Sequence, residues 1–103
     1  MTFLLELPVP SLKLLSGWLD VFPSEKVEFI CEIQESSDWL VKWTRDGQEV
    51  QSDSGASLSI SSAAQEHNGV YTCQGHLKTR PEKVNTVFSS PLTLEVYGRF
   101  IFL

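Results

Sequence analysis

Cys31 and Cys73 are the only two cysteines of the chain, and each lies in a stretch that alternates between apolar and polar residues. Over 26–33, Val27, Phe29, Cys31 and Ile33 share one face, and Ile30 breaks the pattern on the other. Over 70–76, Tyr71, Cys73 and Gly75 point one way, and Thr72, Gln74 and His76 the other. Between them, Trp39, Val41 and Trp43 share a face of 39–45, with Leu40, Lys42 and Thr44 opposite. A period of two is the signature of an extended strand with one buried side. The chain thus carries three strands that aim two sulfurs and an indole at a common interior. No segment has a helical period, and no internal repeat occurs.

Turn chemistry divides the rest. Ser11–Leu14 predicts a first edge strand and Trp18–Phe22 its continuation, ended by Pro23-Ser24. Glu35-Ser36-Ser37-Asp38 is a polar turn. Asp46-Gly47 is a tight hairpin signal, so Gln48–Gln51 returns as a short strand. Ser52–Gly55 reads as a mobile loop, Leu58-x-Ile60 as an inward pair, and His67-Asn68-Gly69 as a turn into the Tyr71 strand. Lys78–Lys83 forms a loop before a last strand at Leu92–Val96.

A length of 103 residues suits one domain with one core. Apolar residues at 42% and charged residues at 20% are ordinary for a soluble globular domain. The net charge of −5 repels phosphates and anionic lipid, which excludes nucleic acid and membrane surfaces as expected partners. No stretch reaches the ~20 apolar residues of a membrane span, so membrane attachment would come only through parts of a longer chain. The apolar start lacks a basic region and is broken by Glu6, Pro8 and Pro10. Residues 1–10 are therefore expected to be a linker or remnant leader, 11–97 the domain and 98–103 a tail. The sequence holds no Asn-x-Ser/Thr acceptor.

The string Cys31, Trp43, Leu58-x-Ile60 and Gly69-x-Tyr71-x-Cys73 resembles the immunoglobulin superfamily over about residues 11–96. The resemblance implies an all-β immunoglobulin-like β-sandwich of two antiparallel sheets, about seven strands, in Greek-key order. It also implies a Cys31–Cys73 disulfide, with Trp43 and Tyr71 as the core pin around it. Closing a loop of about 40 residues would stabilise by about 3–4 kcal/mol, and such a bond persists outside the cell. The 29 residues between Trp43 and Cys73 leave no room for the extra strand pair of variable-type domains. Trp18, Trp43-Thr44-Arg45-Asp46-Gly47, Tyr71-x-Cys73-Gln74-Gly75 and Ser90-Pro91-Leu92-Thr93-Leu94-Glu95-Val96 resemble the Fc-receptor and Fc-receptor-like group. One departure concerns the turn before Tyr71. The family usually places an aspartate at the position of His67, paired with an arginine. Here no arginine lies between Arg45 and Arg80.

Chemistry is hard to assemble from these residues. The cysteines are a structural bridge rather than reactive thiols, since neither Cys-x-x-Cys nor a basic surrounding is present. Trp39 either caps the core or offers a partly exposed contact. His67 and His76 sit at opposite ends of one strand, up to about 30 Å apart, too far to share an ion or a proton. No metal-ligand spacing, nucleophile–base pair or phosphate loop occurs, so no enzyme, cofactor, metal or small-molecule substrate is expected. Two exposed features remain. Lys78, Arg80 and Lys83 put three cations on a proline-stiffened loop, which is either a recognition loop or a solvated one. The outer face carrying Lys42, Gln74 and His76 is the second candidate. The resemblance implies an extracellular, cell-surface immune-type receptor domain whose ligand is an immunoglobulin or another cell-surface protein. Its contacts would lie on the loops 35–38, 51–56 and 78–83. The alternative is a structural spacer module of an adhesion or cytoskeletal chain, with the same cysteines held reduced.

Overall fold

A computed structural model describes residues 6–51 and 55–98. The first part of the expected linker, most of the 52–55 loop and the tail beyond Gly98 lie outside the described residues. Among the described residues eight strands form, β1 (Ser11–Ser16), β2 (Asp20–Val21), β3 (Val27–Glu32), β4 (Trp39–Arg45), β5 (Gln48–Val50), β6 (Ser57–Ile60), β7 (Gly69–Leu77) and β8 (Leu92–Val96). Two single 3₁₀ turns, Ser36–Asp38 and Gln65–His67, are the sole helical pieces among the described residues. The strands build a three-stranded sheet β1-β3-β6 and a five-stranded sheet β2-β8-β7-β4-β5. All pairs are antiparallel except β2 with β8.

That parallel pair corrects the expectation that Trp18–Phe22 continues the first strand. The chain leaves β1 through a register shift between Leu14 and Ser16 and crosses to the other sheet. Gly17 makes the crossing possible. Its φ is +92°, and a Cβ there would stand 2.6 Å from the Lys26 carbonyl oxygen. Trp18 faces solvent at the crossover.

The alternation seen in the sequence becomes the inter-sheet core. Val27, Phe29, Cys31 and Ile33 from one sheet meet Trp39, Trp43, Tyr71, Cys73, Leu94 and Val96 from the other, all buried. Trp39 is a core residue at 7% exposure, which decides between its two readings. Val41 is half-buried. Cys31 and Cys73 are bonded, with Cα atoms 6.3 Å apart, and the bond joins β3 to β7 across the two sheets. Trp43 stands directly opposite Cys73 in the β4–β7 register and donates its indole N–H to the Gly55 carbonyl at 2.7 Å. The Tyr71 hydroxyl donates back to the His67 carbonyl at 2.6 Å, the tyrosine-corner arrangement.

Candidate functional site

The hairpin at Asp46-Gly47 has both central residues at positive φ, 52° and 80°. Such a turn matches the twist of its flanking strands. Val70 N–H donates to Asp46 Oδ1 at 2.9 Å, fixing the hairpin against β7. This holds β4 and β7 in a register where the expected contact residues are cross-strand neighbours. Leu40 stands opposite His76, Lys42 opposite Gln74, and Thr44 opposite Thr72. The two threonine hydroxyls are hydrogen-bonded. Lys42 Nζ lies 4.0 Å from Glu49 Oε1 on β5, an exposed pair of little energetic weight.

At its lower end this face hollows into a shallow, mainly apolar depression of about 500 Å³ lined by Thr44, Asp46, Gly47, Val70, Thr72 and Phe88. Val70 and Phe88 are exposed there. Neither belonged to the sequence-derived site. Val70 was legible as an exception, an exposed apolar residue on the outer side of its strand. Phe88 was not, because its position depends on how the chain enters β8.

The connection between β7 and β8 is longer than the expected 78–83 loop. It runs over residues 78–91, since β8 begins at Leu92. Along its return, the Thr86 and Ser89 amides donate to the Gly75 and Cys73 carbonyls of β7 at 2.9 and 2.8 Å, and their side chains take the other half of each pair. Thr86 Oγ1 accepts the Gly75 amide at 2.8 Å, and Ser89 Oγ accepts the Cys73 amide at 3.0 Å. Both hydroxyls are buried, and Val87 and Phe88 are pushed outward between them. Buried amides must find an acceptor, and here hydroxyls supply it.

The front of the connection is a tight coil. Arg80 N–H donates to the Leu77 carbonyl, and the Arg80 carbonyl accepts from Lys83 and Val84 at 3.1 and 3.0 Å. Lys78 N–H donates to the Asp38 carbonyl at 2.9 Å, tying this loop to the one before β4. Lys78, Arg80 and Lys83 all project from the coil as exposed residues. None belongs to the ion pairs found among the described residues, which are Lys13–Glu32, Lys26–Glu28 and Lys42–Glu49.

Gln74 and His76 behave differently from these cations. Gln74 Nε2 donates to the Thr86 carbonyl at 2.8 Å, and His76 Nδ1 lies 3.0 Å from the Pro81 carbonyl oxygen. An isolated bridge from His76 to Asn85 closes the loop base. Both side chains thus hold the connection in place. His67 sits at the far end of β7 and accepts the Ala64 amide on Nδ1 at 2.9 Å. That is how a histidine fills the expected aspartate position. Among the described residues no group of three or more histidines, cysteines or carboxylates could hold a metal ion. No helix there is long and apolar enough to cross a membrane.

The immunoglobulin domain model matches residues 10–76, which includes the disulfide, Trp43 and Tyr71 but stops before the cationic loop. No curated protein sequence matches the chain. Among solved structures, the second Ig-C2 domain of human Fc-receptor like A is similar at a TM-score of 0.70. Identity is 23%, over 88% of this chain and 99% of that one. A chimeric titin Z1Z2 tandem carrying an exogenous fibronectin peptide is similar at 0.62 and 25% identity, over 88% of this chain and 47% of that one. The extracellular domains 3–5 of Drosophila OTK follow at 0.58 and 20%, over 88% and 38%.

Proposed function

Because the chain belongs to the immunoglobulin domain family, we propose that it is a non-catalytic, extracellular domain of a cell-surface immune-type receptor, of the Fc-receptor-like kind, that binds a protein ligand. The observation that carries this reading is the cationic coil between β7 and β8. Three cations that form no ion pair among the described residues stand on a hydrogen-bonded loop tip of a domain whose net charge is −5. Charge at such a rim steers encounter and selects a partner of opposite sign. The ligand is an acidic protein surface, on an immunoglobulin or another cell-surface protein. Lys78, Arg80 and Lys83 contact it, and Lys42, on the outer face of β4 beside Glu49, is a further contact. Gln74 and His76 position the loop rather than touch the ligand. The buried Cys31–Cys73 bond supports an oxidising compartment.

Fluorescent tetramers of the domain test the reading on panels of leukocytes. We expect staining that weakens as salt is raised and is lost with Arg80→Glu, while the thermal midpoint stays unchanged. Staining indifferent to salt and to Arg80→Glu would sink the cationic loop as the contact. A second reading, an intracellular spacer module, is favoured by the likeness to titin at 25% identity. Alkylation of the protein within intact cells separates the two. Two modified cysteines would establish the spacer, and none the receptor.

A further inference from the structure

β5 ends the five-stranded sheet and β6 ends the three-stranded sheet, and among the described residues no strand lies between them. The sandwich therefore gapes along that side. The gap is a cleft of about 210 Å³ lined by Arg45, Val50, Leu58, Ile60, His67 and Tyr71, with Gln51 and Ser59 at its rim. None of these residues is acidic, in a chain that has 13 aspartates and glutamates.

Strand alternation sets the charge in this cleft. Trp39, Val41, Trp43 and Arg45 share the inward face of β4, so the last of them sends a guanidinium between the sheets. Arg45 is half-buried and belongs to none of the ion pairs among the described residues. Burial pushes the Tyr71 pKa up, a hydrogen bond from Arg45 and then its charge oppose that push, and the charge of Asp46 adds to it. Tyr71 already donates to the His67 carbonyl and cannot act as counter-ion. His67 supplies a second donor. A backbone amide only donates, so the Ala64 N–H at 2.9 Å makes Nδ1 the bare nitrogen and leaves the hydrogen on Nε2. Arg45 and His67 thus both line a cleft whose described lining includes no carboxylate, the Asp46 charge acting on it from the neighbouring hairpin.

We infer that the cleft between β5 and β6 is a carboxylate-binding site, anchored by Arg45 with the His67 Nε2–H as second donor. A planar carboxylate matches the guanidinium fork in two parallel hydrogen bonds. It also matches the charge. The cleft holds one full cation, and a dianion such as sulfate would carry an uncompensated charge into a partly buried place. The carboxylate comes either from a free small acid or from an acidic side chain on a partner protein. The site lies on the opposite flank from the cationic loop and does not depend on it.

NMR titration of the intact domain with sodium acetate, against sodium chloride at equal ionic strength, tests the inference. The expected result is a saturable shift of the Arg45 Nε–H and His67 ring signals with acetate alone. Arg45→Gln should weaken acetate binding about tenfold or more, as the loss of a charge-assisted pair does. Arg45→Lys keeps the charge but loses the fork, and should fall between the two. Thermal melts confirm that each variant is folded. Blocked aspartate amide then identifies the source. Binding tighter than acetate points to a protein side chain, and binding no tighter to a free acid. Shifts that match chloride, or an affinity unchanged in folded Arg45→Gln, would overturn the assignment.

Discussion

Single atoms decide whether this core closes. Gly75 faces inward on β7, where a Cβ would meet Ile33 Cδ1 at 2.9 Å and Thr86 Cγ2 and Trp39 Cε3 at 3.1 Å. Gly75→Ala should therefore destabilise by about 1–3 kcal/mol through overpacking, read as a lower urea midpoint. The alternation at 70–76 announced that Gly75 points inward. It could not announce that an indole edge occupies the space. Glu28 illustrates a surface group tuned by its neighbours. Hydrogen bonds from Ser16 and then Ser59, followed by Lys26, hold its carboxyl below the ordinary value. A carboxyl lowered in the fold stabilises at pH above its ordinary pKa. That contribution fades as pH falls through the lowered folded value. Ser16→Ala should move the Glu28 midpoint upward in an NMR pH titration, and an unmoved midpoint would refute the arrangement.

At the scale of elements, the return into β8 is where pattern reading stopped short. Residues 84–91 have no strand period, and in the structure the Thr86 and Ser89 amides donate to the Gly75 and Cys73 carbonyls while their hydroxyls accept the amides of the same two residues. Ser89→Ala would strip the Cys73 amide of its acceptor inside a buried site. We expect a loss of about 1–3 kcal/mol and faster hydrogen exchange at Cys73, seen by NMR. Thr86→Val, nearly the same shape, should act likewise at Gly75. By contrast Arg80→Glu, on an exposed turn outside the ladder, should change binding and leave stability alone. The hairpin behaves as its dipeptide predicts, because Asp46-Gly47 is a local conformational preference that needs no distant partner. The turn before Tyr71 needs more. Asn68 Oδ1 accepts the Val96 amide at 2.6 Å, and Gln65 Nε2 donates to the Tyr97 carbonyl at 2.7 Å, clamping that turn to the end of β8.

For the molecule as a whole, the disulfide couples the two sheets. Cys31→Ala with Cys73→Ala should lower unfolding free energy by about 2–5 kcal/mol, measured by denaturant titration followed by tryptophan fluorescence. An unaltered midpoint would mean that packing alone joins the layers. Much of this architecture is local information. Period-two alternation marks which side of 26–33, 39–45 and 70–76 is buried, and the fold follows from three such faces with a cysteine pair and a tryptophan at matching positions. What the sequence could not express is which sheet each edge belongs to. The crossing of β2 to the β8 side, the mixed backbone and hydroxyl pairing of residues 84–91 with β7 and the flank between β5 and β6 all depend on contacts between distant segments. The same holds for Arg45. Its place in the alternation puts it on the inner face, but only the absence of a strand between β5 and β6 among the described residues makes that face a cleft. Alternation is a property of a few neighbouring dihedral angles. Sheet membership and open edges are properties of how whole strands compete for partners, and that competition is settled in three dimensions.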